Sequence, residues 1–257
     1  MKKEIVLFIC LFVFQVTHLF AAEKVEGNGH TITKKIDVEE FDQLFLGSGI
    51  ESSGSGIRFL KKSTKKELSF EYTQRNGSAT LVITMDENLF DYLSVEQKGG
   101  SLRIQAKENY QILPTLLSIK GGSSALKKVD ITGCLNFIVE GALQADELKL
   151  GVSGVGNITL SDLSCQVLNG SVSGVGNLSL KGKVDKAKYD LSGVGKIFAY
   201  DCVVKELACH VSGVGNMEVR ASEKLSAKAS GVGSISYKGE ATVNANASGV
   251  GRIKNAN

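Results

Sequence analysis

The chain has 257 residues, with 30 Lys and Arg against 27 Asp and Glu, 29 glycines, one proline and no tryptophan. The formal net charge of +3 is too close to neutrality to argue for nucleic acid or an anionic membrane; removing Lys2, Lys3 and Glu4 with a leader leaves +2. The length allows a sizeable core, but no run of helix formers is long enough to build a helical domain.

Met1-Lys2-Lys3 gives a positive start, Ile5 to Phe14 a short apolar run, and Ala21-Ala22 small residues before the polar Glu23-Lys24. This is the pattern of a signal peptide over residues 1–22, so the mature chain is expected to be exported to the periplasm or cell surface. Gln15, Thr17 and His18 interrupt the apolar run, which argues against a permanent span, and no other stretch is suited to cross a bilayer. Cys10 is not expected to accept a lipid, because Ile9 before it is not small and the position falls too early in the apolar run.

From Val25 to about Lys120 the apolar residues alternate in short segments. These are Ile32 to Val38, Leu44 to Leu46, Ile57 to Leu60, Leu68 to Tyr72, Ala79 to Met85, Leu93 to Glu96 and Leu102 to Ala106. Gly47-Ser48-Gly49, Asn76-Gly77 and Gly99-Gly100 separate them, and the last two are hairpin signals. Asp86 to Phe90 reads as one helical turn, and Lys61, Lys62, Lys65 and Lys66 as a solvated loop. Residues 23–120 are thus expected to form irregular strands and hairpins that cap the C-terminal half, within one continuous domain over 23–257.

Over residues 121–257 the tetrapeptide Ser-Gly-Val-Gly recurs, beginning at Ser153, Ser173, Ser192, Ser212, Ser230 and Ser248. The steps of 20, 19, 20, 18 and 18 residues are a structural period. Apolar residues alternate before the motif (Leu148, Leu150, Val152) and after it (Ile158, Leu160), so each repeat reads as strand, bend, strand. The first glycines (Gly154, Gly174, Gly193, Gly213, Gly231, Gly249) and the second (Gly156, Gly176, Gly195, Gly215, Gly233, Gly251) let the chain bend where a Cβ would clash. Asn157, Asn177 and Asn216 suit the same bend, because Asn tolerates the left-handed region. A repeat of this length cannot bury its own apolar face, so successive repeats should stack as a parallel β-solenoid of seven coils.

In that arrangement Val155, Val175, Val194, Val214, Val232 and Val250 form one ladder along the axis. The degenerate repeat Thr132-Gly133-Cys134-Leu135 places Cys134, a buried-type residue, at the same position, which points the ladder into the core. Strict alternation from Val152 would point it outward.

The ordered series carries a family resemblance. Phe41-Asp42-Gln43-Leu44 precedes a Gly-Ser loop; Glu87 to Leu93, Gly100-Ser101-Leu102-Arg103-Ile104, the serial repeats and the closing Tyr237-Lys238-Gly239-Glu240 come after it. The chain resembles the bacterial head GIN domain family, whose members are also described as auto-transporter adhesins. The resemblance implies a right-handed parallel β-helix in a secreted or surface protein of a Gram-negative bacterium, and it brings no catalytic residues. The sequence ends Arg252 to Asn257 directly after the last repeat, without strands of a membrane barrel, so the chain is not expected to transport itself, and unless a separate secretion system recognises it the periplasm is as much expected as the cell surface.

No catalytic, cofactor or metal site is expected. His30 and His210 have no partner in register, and Cys134, Cys165, Cys202 and Cys209 lack C-x-x-C spacing and read as buried thiols rather than zinc ligands. Ser-Gly-Val-Gly has the glycines of a phosphate loop but is followed by a strand, not a helix, and it lacks the Asp of calcium-binding nonapeptides. Asp146, Asp162, Asp185 and Asp201 read as lying at different phases of the repeat, so paired carboxylates for glycan cleavage are not expected. Two functions are compatible with these residues: a non-enzymatic exported binding or structural module with an adhesin-like role toward a polysaccharide, an envelope component or another protein, or a polysaccharide-active lyase or hydrolase. The second rests on fold analogy alone.

Overall fold

The computed structural model describes residues 22–52 and 68–257. The expected signal peptide apart from Ala22, the segment Ile57 to Leu60 read as a strand and the segment Lys61 to Lys66 read as a loop lie outside the described residues. Ten short strands come first: β1 (Glu23–Glu26), β2 (Thr31–Ile36), β3 (Gln43–Leu46), β4 (Ser69–Tyr72), β5 (Thr80–Asp86), β6 (Leu93–Lys98), β7 (Ser101–Ala106), β8 (Tyr110–Leu113), β9 (Leu117–Gly122) and β10 (Lys128–Ile131). Five long ones come next, β11 (Asn136–Val152), β12 (Val155–Val172), β13 (Val175–Leu191), β14 (Val194–Val211) and β15 (Val214–Ala229). The chain closes with β16 (Val232–Lys238), β17 (Thr242–Ala247) and β18 (Arg252–Asn255).

Each long strand is one coil, paired in parallel with the coil before and after, and the molecule is an all-β parallel solenoid of about six turns. The bends are written in the alternation. In β12 the buried residues run Ile158, Leu160, then Leu163, Cys165, then Leu168, Val172. Each step of three instead of two is a corner at which the strand changes side. The tetrapeptide is a corner of another kind, a bend through which alternation is unbroken: Val172, Gly176, Leu178 and Leu180 all face inward.

This corrects the expected inward ladder. Val175, Val194, Val214, Val232 and Val250 are exposed by 39, 51, 52, 58 and 69 %, and Val155 is half-buried. Cys134 does share their column, bridging to Val155, but it is half-buried because the chain at Glu51–Ser52 lies beside it. The cysteine therefore reported a local cover rather than the core.

The glycines obey the same geometry. They take the inward positions of the corner, where a side chain would point along the axis into the adjacent coil. A Cβ on Gly213 would overlap the carbonyl oxygens of Gly193 and Ser192, and one on Gly215 that of Gly195. The column of first glycines begins before the repeats, since Gly133 packs directly against Gly47. Asn157, Asn177 and Asn216 are in extended strands, not in the left-handed region; Asn109 is the only described non-glycine residue with positive φ.

The core is made of columns of one residue per coil. Tyr189, fully buried, lies over Gly170, whose missing side chain leaves room for the ring, and Cys209 lies over Tyr189.

At the N-terminal end β3 pairs with both β10 and β7, so the Gly47-Ser48-Gly49 segment is the first corner of the solenoid. Strands β6 and β7 form an antiparallel hairpin at Gly99-Gly100. Asn76-Gly77 does not form one. Its flanking strands β4 and β5 lie on opposite sides of β9, parallel and antiparallel to it. Glu87–Tyr92 is a 3₁₀ turn. Before it Asp86, with no exposed surface, accepts hydrogen bonds from Gly29 N (2.7 Å), Thr115 N (2.8 Å) and Thr115 Oγ1 (2.7 Å). Burial disfavours its charge, but these donors outweigh it and hold the carboxyl below the usual range.

Candidate binding surface

The side of each coil that comes after the corner presents three outward columns. Serines 153, 173, 192, 212, 230 and 248 come first and the valines second; Asn157, Asn177, Lys196, Asn216, Ser234 and Arg252 come third. Columns on one strand are about 6.8 Å apart and coils about 4.8 Å apart, so this is a near-regular grid. The third column is tied along the axis. Asn157 Nδ2 donates to Asn136 Oδ1 at 2.8 Å, Asn177 Nδ2 to Asn157 Oδ1 at 2.7 Å, and Ser234 Oγ to Asn216 Oδ1 at 3.0 Å. Side chains locked in this way lose little further entropy when a partner binds. Phe198, in the next outward column, is also exposed, with Lys196 Nζ 5.8 Å from its ring centre.

A second feature is a shallow groove of about 920 Å³ along the short side of the coils. Ala145, Cys165, Val184 and Val203 contribute to its lining, and its charged residues balance: Lys127, Lys183 and Lys205 against Asp146, Glu147 and Asp185. Here the reading of the aspartates is corrected. Asp146, Gln166, Asp185 and Lys205 occupy one corner column, and Asp162, Lys181 and Asp201 another. Both pairs of aspartates are 39 residues apart, the sum of a 20-residue and a 19-residue step, a signal present in the sequence.

The stacked carboxylates are engaged. Gln166 Nε2 donates to Asp146 Oδ1 at 2.8 Å, Lys205 Nζ lies 2.7 Å from Asp185 Oδ1, and Lys181 Nζ lies 3.3 Å from Asp201 Oδ2. The hydrogen bond to Asp185, with its charge, holds the Lys205 ammonium above its usual range.

His30 and His210 are both exposed, and each has one carboxylate neighbour: His30 Nδ1 is 3.0 Å from Glu87 Oε2, and His210 Nδ1 is 3.7 Å from Asp190 Oδ1. The structure does not bring the two histidines, or the four cysteines as a set, to one site. Cys165, Cys202 and Cys209 are buried and Cys134 half-buried, all with free thiols. Burial raises all four, Cys202 to about 11. Among the described residues no group of three or more His, Cys, Asp or Glu is placed to hold a metal ion. What the sequence reading missed is the cationic and aromatic part of the face, Lys196, Phe198, Tyr200, Lys238 and Arg252, although the signal is present: Lys196 and Arg252 each come one residue after the second glycine of their repeat, and Tyr200 and Lys238 each five after it.

The architecture defines a parallel β-solenoid with an outer face of stacked side chains. The chain belongs to the family described as "Putative auto-transporter adhesin, head GIN domain", whose model matches residues 59–241. Among solved structures it is similar to a "putative adhesin" from Bacteroides fragilis, at 27 % identity and a TM-score of 0.78, covering 90 % of this chain and 99 % of that one. It is similar to a "putative lipid binding protein" from Parabacteroides distasonis, at 27 % identity and a TM-score of 0.71, covering 91 % and 100 %. A "putative adhesin" from Parabacteroides merdae matches at 25 % identity and a TM-score of 0.67, covering 92 % and 100 %. No curated protein matches the chain.

Proposed function

We propose that the protein is a non-enzymatic, exported module that binds a component of the cell envelope or a neighbouring surface through the outer face of its coils. The observation that supports this most is the exposed valine column. A solenoid gains nothing for its core from valine at an outward position beyond the general preference of strands for β-branched residues, and an aligned apolar stripe open to water suits a partner surface. The family membership, the two neighbours named as adhesins and the one named as lipid-binding support the same reading. Among the described residues no helix is long and apolar enough to cross a membrane.

The test is binding of the purified protein to fractionated envelope and to a glycan array, together with turnover assays on acidic and neutral polysaccharides. Saturable binding without turnover is expected. Polysaccharide cleavage that disappears in Asp146→Asn or Asp185→Asn would replace this reading with the enzyme alternative, located in the groove.

A further inference from the structure

The exposed face is not uniform along the axis, and the difference points to the chemistry of its partner. Its first two coils, residues 153–161 and 173–181, carry one charged residue, Lys181, whose ammonium lies 3.3 Å from Asp201 Oδ2. The corresponding segments of the later coils, 192–200, 212–220, 230–238 and 248–257, carry five cations (Lys196, Arg220, Lys238, Arg252, Lys254) and one carboxylate (Glu218), a net of +4. Among the described residues none of these five cations has a carboxylate within 4.0 Å, whereas Lys181 in the earlier coil and Lys186, Lys188, Lys205 and Lys224 on other sides each do. Lys196 and Lys238 instead lie over the rings of Phe198 and Tyr200.

The same end is where the apolar stripe is most open. Val194, Val214, Val232 and Val250 are exposed by 51 to 69 %, and Phe198 by 38 %. Four coils and three to four columns make a patch of roughly 14 by 20 Å in which methyl groups and an aromatic edge are bordered by uncompensated cations. A polyanion alone would satisfy the cations and leave the valines in water. A neutral apolar partner would do the reverse.

We propose that this end of the face docks on an anionic lipid bilayer, the cations on headgroup phosphates and the valines and Phe198 against the upper acyl region. This rests on the reading of the face as a binding surface. The overall charge, close to neutral, hides the patch because paired carboxylates on the other sides cancel it. The docking is peripheral: valine reaches too short a distance to enter the hydrocarbon core, so binding depends on both contributions at once.

The experiment is co-sedimentation of the purified protein with phosphatidylcholine vesicles, with and without phosphatidylglycerol, over a range of NaCl concentrations. Binding is expected only with phosphatidylglycerol, and it should weaken as salt rises. Lys196→Gln and Arg252→Gln should each weaken it roughly fivefold, and Val214→Ser combined with Val232→Ser by about tenfold. Lys188→Gln, on another side, should leave it unchanged. All these positions are outward, and circular dichroism of each variant checks that the fold is kept.

Equal binding to both vesicle types would overturn the proposal. So would phosphatidylglycerol binding that ignores the valine pair, or that soluble dextran sulfate matches with equal affinity, because the face would then read charge alone. Absence of vesicle binding, with envelope or glycan binding retained, overturns the lipid assignment and leaves the binding-surface reading standing.

Discussion

Replacing Gly213 with alanine tests the corner directly. Its φ is not in the left-handed region, so alanine meets no backbone penalty of its own; at an open position the change would stabilise by about 0.4–1 kcal/mol through the unfolded chain. In this corner the new Cβ overlaps the carbonyl oxygen of Gly193, the acceptor of the Val214 N–H at 3.0 Å, while Gly213 N–H donates to Leu191 O at 3.1 Å. Relief requires the two coils to separate locally. Two weakened hydrogen bonds at about 1 kcal/mol each and about 1–2 kcal/mol of disturbed packing give a loss of roughly 3–4 kcal/mol. Urea denaturation followed by circular dichroism should show a lower midpoint with an unchanged slope. A neutral or stabilised Gly213→Ala would refute the view that the glycine column exists because adjacent coils leave no room for a Cβ.

Val214→Ala, at an outward and half-exposed position beside it, should change stability by less than about 0.5 kcal/mol in the same assay. Tyr189→Ala should cost about 3–5 kcal/mol, because the ring fills the space over Gly170 and nothing adjacent can replace it. Asp86 has a lowered pKa in the folded protein, so its contribution is fully present above the unfolded value of about 3.9 and is lost as pH falls through the folded value. Asp86→Asn should therefore lower stability at neutral pH and reduce its decline below about pH 4, as read by urea midpoints across that range. With a thiol reagent at neutral pH, Cys134 should react first, and Cys202 and Cys209 only on unfolding; fast native modification of Cys209 would contradict its placement in the core.

Much of this fold is legible because it is repeated. Six copies of one tetrapeptide with alternating flanks leave stacking as the available way to bury the apolar residues. The direction of the valines is not settled in the same way, since the alternation from Val152 and the buried-type residue Cys134 give opposite answers. The structure resolves the conflict in favour of alternation: a side chain's facing is set by its own strand, whereas the half-burial of Cys134 comes from a distant piece of chain. The stacked aspartates were within reach, because one 20-residue and one 19-residue step add to their spacing, but corner bulges shift the register and conceal it. The first coil was out of reach. Gly47 and Gly133 are neighbours in space with β4 to β10 between them in sequence, and no local signal marks that interruption.

The outer face, rather than the groove, is the part of the molecule proposed to meet a partner. The most direct measurement is a binding isotherm on isolated envelope for two variants side by side, Val194→Ser/Val214→Ser/Val232→Ser on the face and Asp146→Asn/Asp185→Asn in the groove. Loss of at least about tenfold in affinity for the face variant, with the groove variant close to wild type, is the predicted result; the reverse pattern, with both proteins folded, would contradict it.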